Sequence, residues 1–112
     1  MKKIEAIIRP EKLDAVRLAL EETGFPGVMI TEIEGHGNQK GITRQWRGKK
    51  YKVELLPKTK IEVVVHDKDV DKIMESISRA AKTSKIGDGK IFVYPVENAL
   101  RIRTGDRGES AI

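Results

Sequence analysis

Lys3-Ile4-Glu5-Ala6-Ile7-Ile8 returns later in the chain as Lys60-Ile61-Glu62-Val63-Val64-Val65, and the likeness does not stop there. Leu13-Asp14-x-Val16 is echoed by Val70-Asp71-x-Ile73, and Leu20 by Ile77. In each copy a short alternation of apolar residues (Ile4, Ala6, Ile8; Ile61, Val63, Val65) predicts a strand with one buried face. Leu13, Val16 and Leu20, then Val70, Ile73, Met74, Ile77 and Ala81, recur at helical spacing and predict a helix after each strand. Pro10 stands near the start of the first helix and Gly24 closes it, while Asp67 or Asp69 is placed to cap the second.

The segment 28–34 reads as a second strand and 91–96 as a fourth, with 83–89 breaking the pattern between helix and strand. The order is β-α-β-β-α-β, an α+β fold with the ferredoxin-like arrangement of an antiparallel sheet and helices on one face. The face away from the helices carries Ile7 and Val64 beside Glu5, Glu62 and Arg9. Such a half-apolar face is an incomplete core, and it predicts a closed homo-oligomer.

What separates the copies is a long insert, residues 35–57. With 112 residues the chain reads as one domain, 1–112, carrying a basic loop at 36–57, a further loop at 83–90 and a C-terminal loop and tail at 97–112. No apolar run reaches membrane-spanning length, the opening strand is too short for a signal peptide, and zero cysteines leave no disulfide or thiolate metal site. A cytoplasmic location is expected. Net charge is +5, and much of the excess lies in the insert, where Lys40, Arg44, Arg47, Lys49, Lys50 and Lys52 face only Glu54. A basic loop of this kind suits phosphates, nucleic acid or an acidic partner surface, and equally a solvated loop.

Several short motifs carry chemistry. Gly87-Asp88-Gly89-Lys90 can turn backbone N–H groups toward an anion with lysine charge beside them, or simply make a tight turn. It is neither a Walker A nor a Rossmann fingerprint. Gly35-His36-Gly37 ends the second strand, followed by Gln39, Lys40 and Gly41. Those glycines mark either a bulge or a close approach of ligand to backbone. Arg101 and Arg103, two apart on a segment read as extended, project to one side and suit a phosphate chain. Lys58 is a single ammonium able to meet a carboxylate. Trp46 and Tyr51 are aromatics in a polar loop, either presented to a partner or tucked back. His36 and His66 lack companions at metal-ligand spacing and read as structural or solvent-facing. No Ser/His/Asp or Cys/His pairing stands out, and Glu5 and Glu62 are repeat-related rather than an acid/base pair, so catalysis is not expected.

Thr83-Ser84-Lys85-Ile86-Gly87-Asp88-Gly89-Lys90-Ile91-Phe92-Val93, Gln39-Lys40-Gly41, Trp46-Arg47-Gly48-x-x-Tyr51, Leu56-Pro57-Lys58-x-Lys60-Ile61-Glu62 and Arg101-Ile102-Arg103-Thr104-Gly105 occur in the order seen in the PII nitrogen signal-transduction proteins. The chain resembles that family over essentially its whole length. The resemblance implies a homotrimer with a nucleotide site in each cleft between neighbours, where ATP and ADP compete. It places the phosphates against Gly37, Asn38, Gln39, Gly87, Asp88, Gly89 and Lys90 of one subunit, with Arg101 and Arg103 from the next. It sets Met29 and Val64 at the adenine and Glu62 near the base or ribose. It also implies a 2-oxoglutarate site beside Mg-ATP, formed by Lys58, Gln39, Gly41, Ile42 and Gly87, with Gln39 completing the Mg²⁺ shell.

On that resemblance the long loop extends or folds with the ligand bound, and its tip, with Arg47, Trp46 and Tyr51, contacts a target. The target class is an ammonium transporter, giving reversible residence at the membrane, or a nitrogen-metabolism enzyme. This chain departs from the family in two places. Asn38 stands where many members carry arginine. Tyr51 matches a tyrosine that some members have uridylylated, but Lys49-Lys50 replaces the small residues before it, and Lys49 occupies the position of the cyanobacterial phosphoserine. The alternative reading is an RRM-like nucleic-acid-binding domain, which shares the strand and helix order. Such domains stack bases on aromatics of the central strands. Segments 4–8 and 61–65 hold none, so no nucleic-acid partner is expected.

Overall fold

A computed structural model describes residues 1–24, 27–35, 42–46, 49–53 and 56–112. The strands are β1 (Lys2–Ile8), β2 (Met29–Gly35), β3 (Ile42–Trp46), β4 (Lys49–Val53), β5 (Leu56–Val65) and β6 (Lys90–Pro95). The helices are α1 (Leu13–Glu22) and α2 (Val70–Ala81), each entered through a 3-10 turn, Pro10–Lys12 and Asp67–Asp69. Strands β2, β5, β1 and β6 form one antiparallel sheet in that order. No helix among the described residues is long and apolar enough to cross a membrane.

The internal repeat explains this architecture. β1 and β5 are the repeated segments, and they lie side by side at the centre of the sheet with Glu5 opposite Glu62. Ile4, Ala6 and Ile8 therefore share one face with Ile61, Val63 and Val65, and all six are buried. Val16 and Leu20 of α1 and their counterparts Ile73 and Ile77 of α2 cover that face. Period-two strands and period-3.6 helices thus bury one continuous apolar layer, which is the dominant favourable contribution to the fold.

Three local features differ from the sequence expectation. β5 begins at Leu56 rather than Ile61, because β2 pairs with it from Met29↔Glu62 to Gly35↔Leu56 and backbone donors of both strands are satisfied only if β5 is long. Neither Asp67 nor Asp69 caps α2 through its side chain. Asp67 instead meets the Met1 ammonium at 3.0 Å, since the start of β1 lies against the end of β5 and a charged partner outbids a backbone N–H. Inside the long insert, β3 and β4 pair as a hairpin from Ile42↔Val53 to Trp46↔Lys49. Their Ile, Thr, Trp, Tyr and Val content favours extended chain.

Gly24 ends α1 as expected. It sits at φ +86°, with its N–H on the Glu21 carbonyl, while Thr23 closes on Leu20 through both N–H and Oγ1.

Candidate ligand site

The site grows from the loop 83–89, which leaves α2 and enters β6. Its organiser is the Asp88 carboxylate. That group accepts hydrogen bonds from the Thr83 N–H (2.8 Å), the Ser84 N–H (2.9 Å) and the Thr83 hydroxyl, and pairs with Arg9 Nε at 3.1 Å. The two Thr83 donors, followed by Arg9 and Ser84, hold Asp88 far below the usual carboxylate range. Arg9 also reaches the Ile86 carbonyl through Nη2 at 2.7 Å, so one guanidinium ties the end of β1 to the loop. Ser84 adopts φ +68°, rare for a residue with a Cβ, and the converging Asp88 bonds hold it there.

Because Asp88 is more acidic in the folded chain than in the unfolded one, the sign of its pH effect is set. Its stabilisation is complete above the ordinary value near ~3.9 and is lost progressively as pH falls from there toward the folded value. We expect the Asp88 carboxyl carbon, followed by NMR, to titrate well below the ordinary carboxylate range. A midpoint at the ordinary carboxylate value would contradict the geometry.

The loop is pressed against the sheet at Gly89. A Cβ built there would lie 1.7 Å from the Ile7 carbonyl oxygen, and φ is +99°, so two independent constraints demand glycine. Gly87 at φ +101° turns its carbonyl toward β5, where Lys58 Nζ donates to it at 2.7 Å. Gly35 lies beside Lys58, since a Cβ at Gly35 would be 3.3 Å from Lys58 Cγ. Burial, and secondarily Arg9, push the Lys58 ammonium below the ordinary lysine value. A part-buried cation, a pair of positive-φ glycines and exposed Lys90 therefore meet at one end of the sheet.

The sheet face away from the helices continues this site. Met29 lies opposite Glu62, with Val64 two residues further along β5. Glu5 and Glu62 face each other and would repel, but Lys3 meets Glu62 at 3.2 Å and Lys60 bridges the two acids at 3.6 and 4.0 Å. Tyr94 Oη donates to Glu5 at 3.0 Å, and Lys3 stands over the Tyr94 ring. Lys3 foremost holds Glu62 below the usual carboxylate range. This is a neutralised polar patch, not an acid/base pair.

Arg101 and Arg103 lie at the other end. β6 runs from Lys90, opposite Ile7, to Pro95, opposite Lys2, so the chain leaves the sheet roughly 20 Å from the Gly87 loop. The segment is a turn rather than extended chain. Leu100 bridges Arg107, and the Gly105 N–H returns to the Arg101 carbonyl at 2.8 Å. Asp106 causes this by accepting from Arg101 Nη1 (3.0 Å) and Thr104 Oγ1 (2.8 Å). Arg103 makes no hydrogen bond or ion pair with another described residue. His66 is fixed by Glu109 of the C-terminal 3-10 turn Gly108–Ala111.

Gly37, Asn38, Gln39, Gly41 and Arg47 lie outside the described residues; Ile42, Trp46 and Tyr51 belong to β3 and β4, described by backbone alone. Among the described residues no group of three or more His, Asp or Glu side chains is arranged to hold a metal ion. The motif reading missed Arg9 and Thr83 as organisers of the loop. Their signal was available only in retrospect, as donors able to saturate an aspartate flanked by glycines.

A family model described as Nitrogen regulatory protein P-II matches residues 1–106. Among curated relatives, Nitrogen regulatory protein P-II of Haemophilus influenzae is 58% identical and that of Rhodospirillum rubrum 57%, each over 112 residues spanning the whole of both chains. Nitrogen regulatory protein P-II 2 of Methanothermobacter thermautotrophicus is 54% identical over 112 residues, all of this chain and 97% of its own length. The chain belongs to the P-II family of nitrogen regulatory proteins, which are regulatory signal-transduction proteins.

Proposed function

We propose that this nitrogen regulator senses adenine nucleotide together with 2-oxoglutarate, and passes the result to a target through residues 36–57. ATP and ADP compete for one cleft lined by Gly37, Asn38, Gln39, Gly87, Gly89 and Lys90, with Met29, Glu62 and Val64 toward the nucleoside. Asp88 shapes that lining rather than touching phosphate, since its oxygens are already occupied by Thr83, Ser84 and Arg9. The observation that carries the reading is the junction of Lys58 with Gly87 beside Gly89, a cation and turned glycines at one sheet end.

Arg101 and Arg103 sit at the opposite end of their own sheet, so they reach a nucleotide at Gly87 only from another copy. That supports a homotrimer with the cleft at each seam, the half-apolar open face being turned inward. Asp88 and Glu62 are both paired within the chain, so Mg²⁺ fits as an ion brought by ATP, with Gln39 as the amide ligand. Mg-ATP supplies hard-cation positions for the oxygens of a 2-oxo acid. Lys58 then exchanges the Gly87 carbonyl for a carboxylate, a stronger, charge-assisted acceptor. Breaking that tie changes how residues near Gly35 and Lys58 anchor the insert, an ordering switch. The target is an ammonium transporter or a nitrogen-metabolism enzyme.

Calorimetry with ATP, ADP and 2-oxoglutarate, with and without Mg²⁺, tests this. We expect 2-oxoglutarate heat only with Mg-ATP, no such heat in Lys58→Ala, and a trimer mass by light scattering of the same sample. Equal 2-oxoglutarate binding without nucleotide would defeat the coupled site.

A further inference from the structure

The loop 83–90 has a second side, turned toward the helices. There a groove of about 680 Å³ opens between α2 and the β1–β6 edge. It exists because β6 is the outer strand while α2 packs on β1, which leaves the helix-side residues of β6 incompletely covered. Val93 is accordingly 38% exposed despite pointing to the same side as buried Ile4.

The groove has an apolar floor of Met74, Ile77 and Ile91. Its rim holds Arg79 and Lys82 from the end of α2 and Lys90 from the start of β6. None of these three exposed cations makes a hydrogen bond or ion pair with another described residue. Of the lining carboxylates, Asp88 is taken up by Thr83 and Arg9, and Glu75 forms no ion pair with another described residue, so the three cations outnumber it. A position near a helix C-terminus suits Arg79 without any ligand. That explanation does not extend to Lys90, which lies on another element.

From this charge complementarity we propose that the groove binds a small organic anion with an apolar body, its carboxylate, sulfonate or phosphate head among Arg79, Lys82 and Lys90. The volume falls within that of ordinary ligand sites and exceeds what an inorganic anion fills. The apolar floor rewards a hydrocarbon or aromatic body, and the cations fix its orientation. Lys90 also borders the nucleotide cleft proposed above, so the groove ligand and a nucleotide draw on one shared side chain.

Fluorescence titration of the full chain with 1-anilinonaphthalene-8-sulfonate, an aryl sulfonate, tests the proposal. We expect saturable binding at one site per chain, weakened roughly tenfold or more by Arg79→Ala with Lys82→Ala. Both residues are exposed, so circular dichroism and melting of this variant should match the parent, separating lost binding from lost fold. Lys58→Ala should bind the dye normally. Three results would each overturn the proposal. The parent chain fails to bind the dye, as it would if a second copy covered the groove; or the double variant binds it unchanged; or Lys58→Ala abolishes binding, which assigns the dye to the 2-oxoglutarate site at Lys58 and Gly87. None of these depends on whether ATP or 2-oxoglutarate binds.

Discussion

Gly89→Ala is expected to destabilise the protein by about 3 kcal/mol or more, summing a left-handed backbone angle with a steric overlap. The angle is +99°, and the new Cβ would stand 1.7 Å from the Ile7 carbonyl oxygen and 2.8 Å from its carbon. Both atoms belong to the central strand β1, which is held on each side by β5 and β6, so neither can retreat cheaply. Either the loop lifts from the sheet or the Ile7↔Lys90 pairing opens. Lifting the loop separates Gly87 from Lys58, so nucleotide and 2-oxoglutarate heats should vanish together. Gly24→Ala is the control. Gly24 also has positive φ, +86°, but nothing within 4 Å of its Cβ position. It should cost only about 1 kcal/mol, the conformational penalty alone. Thermal melts of the two variants decide the matter, and equal losses would show that the contact with Ile7 has no energetic weight.

Ile73→Ala should cost about 2–5 kcal/mol, the range for truncating a fully buried aliphatic side chain. Ile73 is 0% exposed and sits on α2 where that helix meets the repeated strands. A domain of this size has roughly 5–15 kcal/mol in total, so the change removes a large share of it. Leu18 is as apolar but 58% exposed on α1, and Leu18→Ala should stay within about 0.5 kcal/mol of the parent. Urea unfolding at one fixed protein concentration compares the two, because assembly would make apparent stability depend on concentration. A small loss at Ile73 would mean that the core closes over the cavity.

Much of this protein was legible before any coordinates. The duplicated Lys-Ile-Glu strand, the apolar stripes on α1 and α2, the terminating Gly24 and the strand-helix order are properties of local spacing, and periodicity reports them directly. The glycines and Lys58 were visible as chemistry as well, since residue type alone limits what a position can do. Three things depended on the tertiary structure: which residues organise the loop, what Gly89 touches, and where the two arginines lie. Arg9 and Asp88 are 79 residues apart, Lys58 and Gly87 are 29 apart, and no local pattern encodes a meeting across that separation. Arg101 and Arg103 looked extended from their alternation. The Asp106 carboxylate instead folds them into a turn, at the end of the sheet away from the glycines. Local spacing determines which face of an element is apolar. Only the register of β1 between β5 and β6 decides which backbone atoms come close enough to demand a glycine, and which cation finds which carbonyl.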